Sequence, residues 1–298
     1  MFTPAMLAFR RASGGGDNRG IFAGGYTSTY DLTIDYISIA STGNATDFGD
    51  LTLARSQHGA CSSATRAVFS GGFGTPTGAA YLTMDYITIA SEGNATDFGD
   101  MYTYGRVSVA GCGSSTRGVF AGHQSSSAIE YITIASTGNG TYFGDLSAAR
   151  FDMGACSSPT RGLFAGGLTN VIDYVTIAST GNSTDFGDLS VSRRRLCGCG
   201  SSTRGVFAGG LSSNVIDYVT IASTGNATDF GNLTAARYGA GGCSSPTRGV
   251  FGGGYTSSGI TNIIDYVTID TTGNATDFGD LTLARRSMSG CSDGHGGL

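Results

Sequence analysis

Six cysteines recur at one position of this chain: Cys61, Cys112, Cys156, Cys199, Cys243 and Cys291. A seventh, Cys197, stands beside them. Equivalent thiols repeated at fixed spacing could hold a soft metal ion. However, no Cys-x-x-Cys pair and no His at fixed spacing accompanies them. Equivalent positions of successive repeats also usually lie too far apart for a disulfide. The expectation is a small buried hydrophobe on a crowded strand.

A second set of candidate ligands is the repeated "GNATDFGD", whose Asn and Asp oxygens could surround calcium. Tyr142 and Asn232 each break that acidic pattern. The Asn and Gly are better accounted for as turn residues that tolerate left-handed backbone. Turn chemistry also explains the N-x-(S/T) sequons, which would matter only in a secretory pathway. His58, His123 and His295 share no repeat position, and no Ser-His-Asp order, zinc spacing or phosphate loop is present. No cofactor, no metal and no catalysis are expected.

Charge is sparse and organised. Of 298 residues 13% are charged, net charge is −5, and every basic residue is Arg. A nucleic-acid or anionic-membrane surface is therefore not expected. No apolar run reaches the ~18–20 residues of a membrane span, so no membrane insertion is expected. The first residues, "MFTPAMLAFRRASGGG", make a poor signal peptide. Most Arg occupy two repeat positions, one in "xxAR" and one in "RG(V/I/L)F". The first should lie near the acid of "IDY" and the second near the acid of "TDF" at the opposite face. Structural ion pairs are thus expected for Arg150 with Asp173, Arg193 with Asp217, Arg161 with Asp185, and Arg204 with Asp229, favoured by the planar guanidinium fork.

These residues belong to a repeat anchored at Arg19, Arg66, Arg117, Arg161, Arg204 and Arg248, with spacings of 47, 51, 44, 43 and 44. Each unit reads as four short strands: "RGVFAGG", a β-branched "VIDYVTIAS", "TDFGDL" after a "TGNAT" turn, and a small-residue run containing the Cys. No helical period occurs. A unit of this size with four strands suits one blade of a propeller, small residues innermost and Phe between blades. The expected fold is an all-β, six-bladed β-propeller of four-stranded antiparallel blades, a single domain spanning 1–298.

The order "AR…small run…RGVFAGG…IDY…DFGDL" resembles the kelch repeat: Arg before the inner strand, di-glycine ending the second, Tyr in the third, an aromatic in the fourth. Phe replaces the outer-strand Trp of kelch in every unit. With its "TGNATDFGD", this variant is similar to tandem repeats in uncharacterised structural proteins of marine tailed phages. That resemblance implies a virion protein, on the particle surface or tail.

The two ends compete for one place. "LAFRRASGGG" near the start matches "LARRSMSGC" near the end. If the N-terminal strand joins the last repeat's strands to close the ring, residues 286–298 are a surplus tail.

Variation concentrates between the di-glycine and "IDY". That gap holds 8, 11, 5, 4, 5 and 9 residues in units one to six. The long gaps of units six, one and two would be neighbours in a ring and form one patch. It collects Tyr26, Tyr30, Asp31, Phe73, Tyr81 and Tyr255, with Tyr102 and Tyr104 on a connection beside it. Rigid Tyr amid Ser, Thr, Gly and Asn suits recognition. The expected function is a non-enzymatic display propeller binding a host-surface glycan or another virion or surface protein. A structural decoration or assembly module, with the loops as contacts of a homo-oligomer, is the alternative.

Overall fold

The computed structural model describes residues 18–75, 78–102 and 104–298. Among them there are strands and turns and no helix. The strands build six four-stranded sheets in which every pairing is antiparallel, plus two small accessory sheets in the loops. One sheet runs in the order Met153–Ser157, Arg161–Gly166, Thr169–Thr176, Thr184–Arg193. The others repeat this order of a Cys strand, an Arg-Gly strand, an acid strand and a Phe-Gly strand.

Side-chain pattern explains the order. Leu163, Phe164 and Ala165 are all fully buried, so the Arg-Gly strand is covered on both faces. Such a strand reads as a continuous apolar run and must sit inside the sheet. The Phe-Gly strand buries only Phe186 within its "TDFGD" and exposes Thr184 and Asp185. It belongs at an edge. Tyr174 and Phe186 meet edge to face across the two outer strands, centroids 5.9 Å apart, and the same contact recurs in every sheet. The Cys strand is confined to small residues because its neighbours crowd it. Cys156 Sγ lies 2.6 Å from where a Cβ on Gly205 of the next sheet would stand. In five of the six sheets the glycine of "Arg-Gly" is therefore the socket for the preceding sheet's thiol, and the second unit has Ala67 there.

The final strand differs from expectation. Ser289–Ser292 pairs with Arg19–Tyr26, Cys291 opposite Ile21, and completes the first unit's sheet. Residues 286–298 are thus not surplus. The competing N-terminal segment lies in 1–17, outside the described residues. Each Cys strand touches the next in chain order, and Ser289–Ser292 touches both Gly241–Ser244 and Gly59–Ser62.

Edge strands left bare would recruit other chains, and here each Phe-Gly edge is covered by the next unit's "TGN" turn. Gly225 N–H donates to Phe186 O at 2.7 Å and Ala227 N–H to Asp188 O at 2.7 Å. Asn226 Oδ1 accepts the Asp188 amide at 3.0 Å. The same three bonds join the last unit to the first: Gly43 to Phe278 O, Ala45 to Asp280 O, and Asn44 Oδ1 from the Asp280 amide. The repeat Asn is thereby committed to a backbone amide. Among the described residues no cluster of three or more His, Cys, Asp or Glu is arranged to hold a metal.

The acid of "IDY" does the complementary task on the connections. Asp217 accepts from the Ser190 hydroxyl at 2.7 Å, the Ser190 amide at 3.2 Å and Arg193 Nη2 at 2.6 Å. Ser190 and Arg193 lie in the last part of the preceding sheet's outer strand, just before the chain crosses over. Arg150 meets Asp173 in the same way at 2.5 Å, and Arg285 of the last unit reaches Asp35 of the first at 3.0 Å. The guanidinium also satisfies carbonyls: Arg193 Nη1 donates to Gly209 O and Val215 O.

The other expected pairs do not form. Arg161 Nη1 donates to Ile221 O and Ala222 O of the next sheet and lies over the Tyr174 ring at 4.6 Å. Arg204 donates to Ile269 O and covers Tyr218 at 4.3 Å. Asp185 and Asp229 point to water. Strand-end carbonyls with no ladder partner need a donor more than a solvated carboxylate does.

Gly187, in "FGD", has φ +141° at the bulge between Ile172 and Asp173, and a Cβ there would meet the Gly225 carbonyl at 2.5 Å. Gly187→Ala combines a disallowed backbone with a clash against backbone that cannot move. It should destabilise by about 2–4 kcal/mol, read as a lower urea midpoint. Gly181→Ala, whose Cβ would meet nothing although its φ is also positive at +157°, should cost clearly less.

Candidate functional site

The long loops place a chain of aromatic rings across units six, one and two. Tyr26 and Tyr30 meet edge to face at 5.4 Å, and Tyr30 meets Phe73 at 5.7 Å. Tyr255 stacks on Tyr238, centroids 5.3 Å apart and planes 28° apart. The two also exchange backbone hydrogen bonds in both directions. Arg286 joins the two groups: its guanidinium lies 5.2, 5.9 and 5.3 Å from the rings of Tyr26, Tyr238 and Tyr255. Its backbone pairs with Tyr26.

Beside the Tyr238–Tyr255 pair opens a cleft of about 660 Å³, walled by the loop of unit six. Tyr255, Thr256, Ser257, Ser258 and Thr261 line it from that loop, and Tyr238 from the connection. The accessory strands Tyr255–Thr256 and Gly259–Ile260 stiffen the loop as a small hairpin.

Other expected patch residues lie elsewhere. Tyr81 is buried; its hydroxyl donates to Thr75 O at 2.6 Å and its ring lies 5.5 Å from the Arg55 guanidinium. It packs its own loop. Asp31 ties Arg285 at 3.2 Å and caps the Thr33 amide. Tyr102 and Tyr104 are exposed but pair with Tyr142 and His123. They form a separate group at the junction of units two and three.

That junction is chemically distinct. Glu130 stands where the other units have Asp, and Tyr102 where they have Ser or Thr. Glu130 Oε2 accepts only the Tyr102 amide at 2.8 Å, and Oε1 is buried without a partner. Burial raises the Glu130 pKa, partly offset by Arg106. Gly140 replaces the usual Ala or Ser, because a Cβ there would lie 3.3 Å from the longer carboxylate. These three residue changes thus go together with one added methylene and one lost hydroxyl.

Unusual backbone recurs in every unit just after the constant Arg of "xxAR". Two residues after each constant Arg come Gln57, Ser108, Asp152, Arg195, Gly239 and Ser287, all with φ between +56° and +67°. Five of the six are not glycine, a cost of about 1 kcal/mol or more each. Backbone bonds link most of them in series: Gln57 to Ser287, Ser287 to Gly239, Gly239 to Arg195, Arg195 to Asp152. Arg195 and Asp152 also form an ion pair at 3.1 Å. The intervening residue varies freely, as Ser56, Val107, Phe151, Arg194, Tyr238 and Arg286. Tyr238 and Arg286 occupy that position. Reading only the gap after the di-glycine misses them; comparing the residue after each "AR" would find them.

The Cys strands line a narrow cavity of about 50 Å³, which the C-terminal residues His295 and Gly296 enter. The serine after each Cys bonds to its neighbour's carbonyl, as Ser157 to Gly113 O and Ser244 to Gly200 O. Where Gly113 and Gly200 replace Ser, the Ser62 and Ser157 carbonyls lack that donor and there is room. His295 Nε2 donates to Ser62 O at 2.8 Å and Nδ1 accepts from Gly297 N. These partners assign a neutral ring with its proton on Nε2. The cysteines are inert: burial pushes the Cys112, Cys197 and Cys291 thiols up to about 12.

No protein-family model matches the chain, and comparison with curated proteins finds no match.

His58 is the buried polar group least provided for. Neither ring nitrogen has a partner, and it sits against Phe69 where other units carry Val109, Met153 or Met288. Burial, with Arg55 and Arg285 nearby, lowers its pKa well below 6.5, and burial also lowers that of His295. The unfolded chain takes up these protons near pH 6.5 and the folded chain only at lower pH. Stability should therefore fall as pH drops below about 6.5. In His58→Met the fall in Tm between pH 7.5 and 5 should be smaller. An identical pH slope would remove His58 as a cause.

Proposed function

We propose that the six sheets close into one kelch-like six-bladed β-propeller, and that the disc works by binding, without catalysis. Three features support closure: the turn-to-edge bonds that run from each unit to the next and from the last to the first, the Arg285–Asp35 pair, and the Cys-strand contacts that return to their start. The ligand in this reading is a saccharide on a host surface. The similarity of the repeat to those of marine tailed phage structural proteins favours a virion surface or tail-associated location.

The observation that carries the binding reading is the Tyr238–Tyr255 stack walling a cleft of about 660 Å³ amid Ser and Thr. Stacked rings present rigid apolar faces at low entropy cost, and short hydroxyl side chains supply hydrogen bonds. The scaffold holds them through backbone pairing, so little order is lost on binding. The assembly reading is favoured by a different sector, where Leu168 and Val191 of unit four are each more than half exposed.

A glycan array probed with the purified chain should give defined positives. Tyr238→Ala and Tyr255→Ala should each lower affinity at least tenfold, while Leu168→Ser leaves it unchanged. No saccharide binding, together with a stable homo-oligomer that Leu168→Ser or Val191→Ser dissociates, would establish the assembly role instead.

A further inference from the structure

We infer that the cleft beside Tyr238 and Tyr255 holds an uncharged saccharide between units five and six, and that Ser212 of unit five is the residue that orients it. The inference rests on the saccharide reading above and adds the charge class and the second unit.

Two units share the cleft. Unit six lines it with the hairpin that starts at Tyr255, and unit five with Ser212 of its short loop and with Ala235 to Tyr238 of its connection. Several of its polar groups are already engaged. Thr256 Oγ1 donates to Gly259 O at 3.1 Å and accepts the Ser258 amide at 3.1 Å, and Thr261 Oγ1 accepts the Ile263 amide at 3.2 Å. These two hydroxyls shape the loop. The Tyr238 hydroxyl accepts from Arg286 Nη1 at 3.3 Å. Arg237 is the one charged residue among the described lining; it is buried, paired with Asp265 at 3.1 Å and bonded to Phe251 O at 3.0 Å. The groups left over are all hydroxyls. Among the described residues, those of Ser212, Ser257, Ser258 and Tyr255 have no partner within the chain.

A serine hydroxyl both donates and accepts, as a sugar hydroxyl does, so such groups match each other without a counter-ion. An ionised substituent would lose water here and meet only a guanidinium already spent on a carboxylate. The remaining wall is apolar, with Ala235, Ala236, Ile260 and Ile263. It suits the C–H face of a pyranose laid along the Tyr rings.

Ser212 differs from the other free hydroxyls in its backbone. Its φ is +56°, in the left-handed region that favours glycine. Unit three has a loop of equal length, "QSSSA" against "LSSNV", and its equivalent Ser125 has no positive φ. Loop length therefore does not impose the strain, and strained backbone clusters at ligand sites. Ser212 is also the free hydroxyl that unit five contributes, since Ala235 and Ala236 have none and that of Tyr238 is engaged. A sugar stacked on the Tyr pair is fixed in rotation by a bond to Ser212.

The test is a glycan array carrying neutral oligosaccharides beside their uronate, sialylated and sulfated counterparts, probed with a concentration series of the full chain at low and high NaCl. The neutral glycans should be the stronger positives, with signals unchanged by salt. Ser212→Gly removes the hydroxyl and relaxes the backbone. Its Tm should be no lower than that of the wild type, while half-saturation on the same neutral glycans rises about fivefold or more. Ser212→Asn tolerates the same backbone and keeps a hydrogen-bonding side chain, so it should recover part of the loss. Acidic glycans bound as well as or better than their neutral counterparts, or signals lost at high salt, would overturn the uncharged assignment and leave the saccharide reading standing. Unchanged half-saturation in Ser212→Gly, or a lower Tm, would remove Ser212 as the orienting residue. An array without positives removes the saccharide reading and this inference together.

Discussion

A fully buried carboxylate in the third strand of each sheet is the interaction on which the rest depends. It sits where the chain arrives from the preceding sheet, and in five of the six sheets it binds that arrival by a hydroxyl, an amide and a guanidinium, as Asp217 does. Taking a carboxylate and a guanidinium out of water costs several kcal/mol each, and only close pairing with the remaining hydrogen bonds satisfied repays it. The gain is directional. Apolar faces alone would let neighbouring sheets slide, whereas the carboxylate accepts only one register of the connection. With the crossings pinned, the Cys strand and the "TGN" turn each fall against the correct neighbour. The thiol then fills the glycine socket, and the Asn reaches the edge amide.

Rigidity of the frame is what permits irregularity on one face. Five non-glycine residues hold left-handed backbone two residues after the constant Arg, and a buried histidine keeps both nitrogens without partners. Local strain of this kind persists only where surroundings over-determine it. At the junction of units two and three, Glu130, Tyr102, Gly140 and Tyr142 change together, so even the clamp can be rebuilt when its neighbours compensate. The C-terminal residues use the same logic. Gly113 and Gly200 interrupt the Ser-to-carbonyl series, and His295 supplies a donor at one of the gaps.

Much of the architecture was legible in the sequence, because period, β-branched strands and turn residues are local signals. Strand content and order, the Cys as packing, and the "AR"–"IDY" pairs Arg150–Asp173 and Arg193–Asp217 all follow from the repeat. The partners of Arg161 and Arg204 did not, since a carbonyl leaves no mark in a sequence: both ends of the expected pair were charged, yet the acid stayed in water. The role of 286–298 was equally hidden, because both chain ends carry the same short pattern. In the candidate site, Tyr26, Tyr30, Phe73 and Tyr255 were visible as loop aromatics. Tyr81 looked the same but turns inward to Thr75. Tyr238 and Arg286 were overlooked because they lie outside the gap that varies in length; at their position the residue type varies while the length does not.

The proposed closure of the ring through the same clamp is what would make units six, one and two neighbours, and so joins the proposed fold to the proposed function. A double-mutant cycle on Asp35 and Arg285, 250 residues apart in the sequence, tests it most directly. Asp35→Asn and Arg285→Met should each destabilise strongly. The pair together should be less damaging than their sum, with a coupling of about 2 kcal/mol or more in urea unfolding. Additive effects within about 0.5 kcal/mol would mean that the two chain ends do not meet in solution, and would contradict the closed ring.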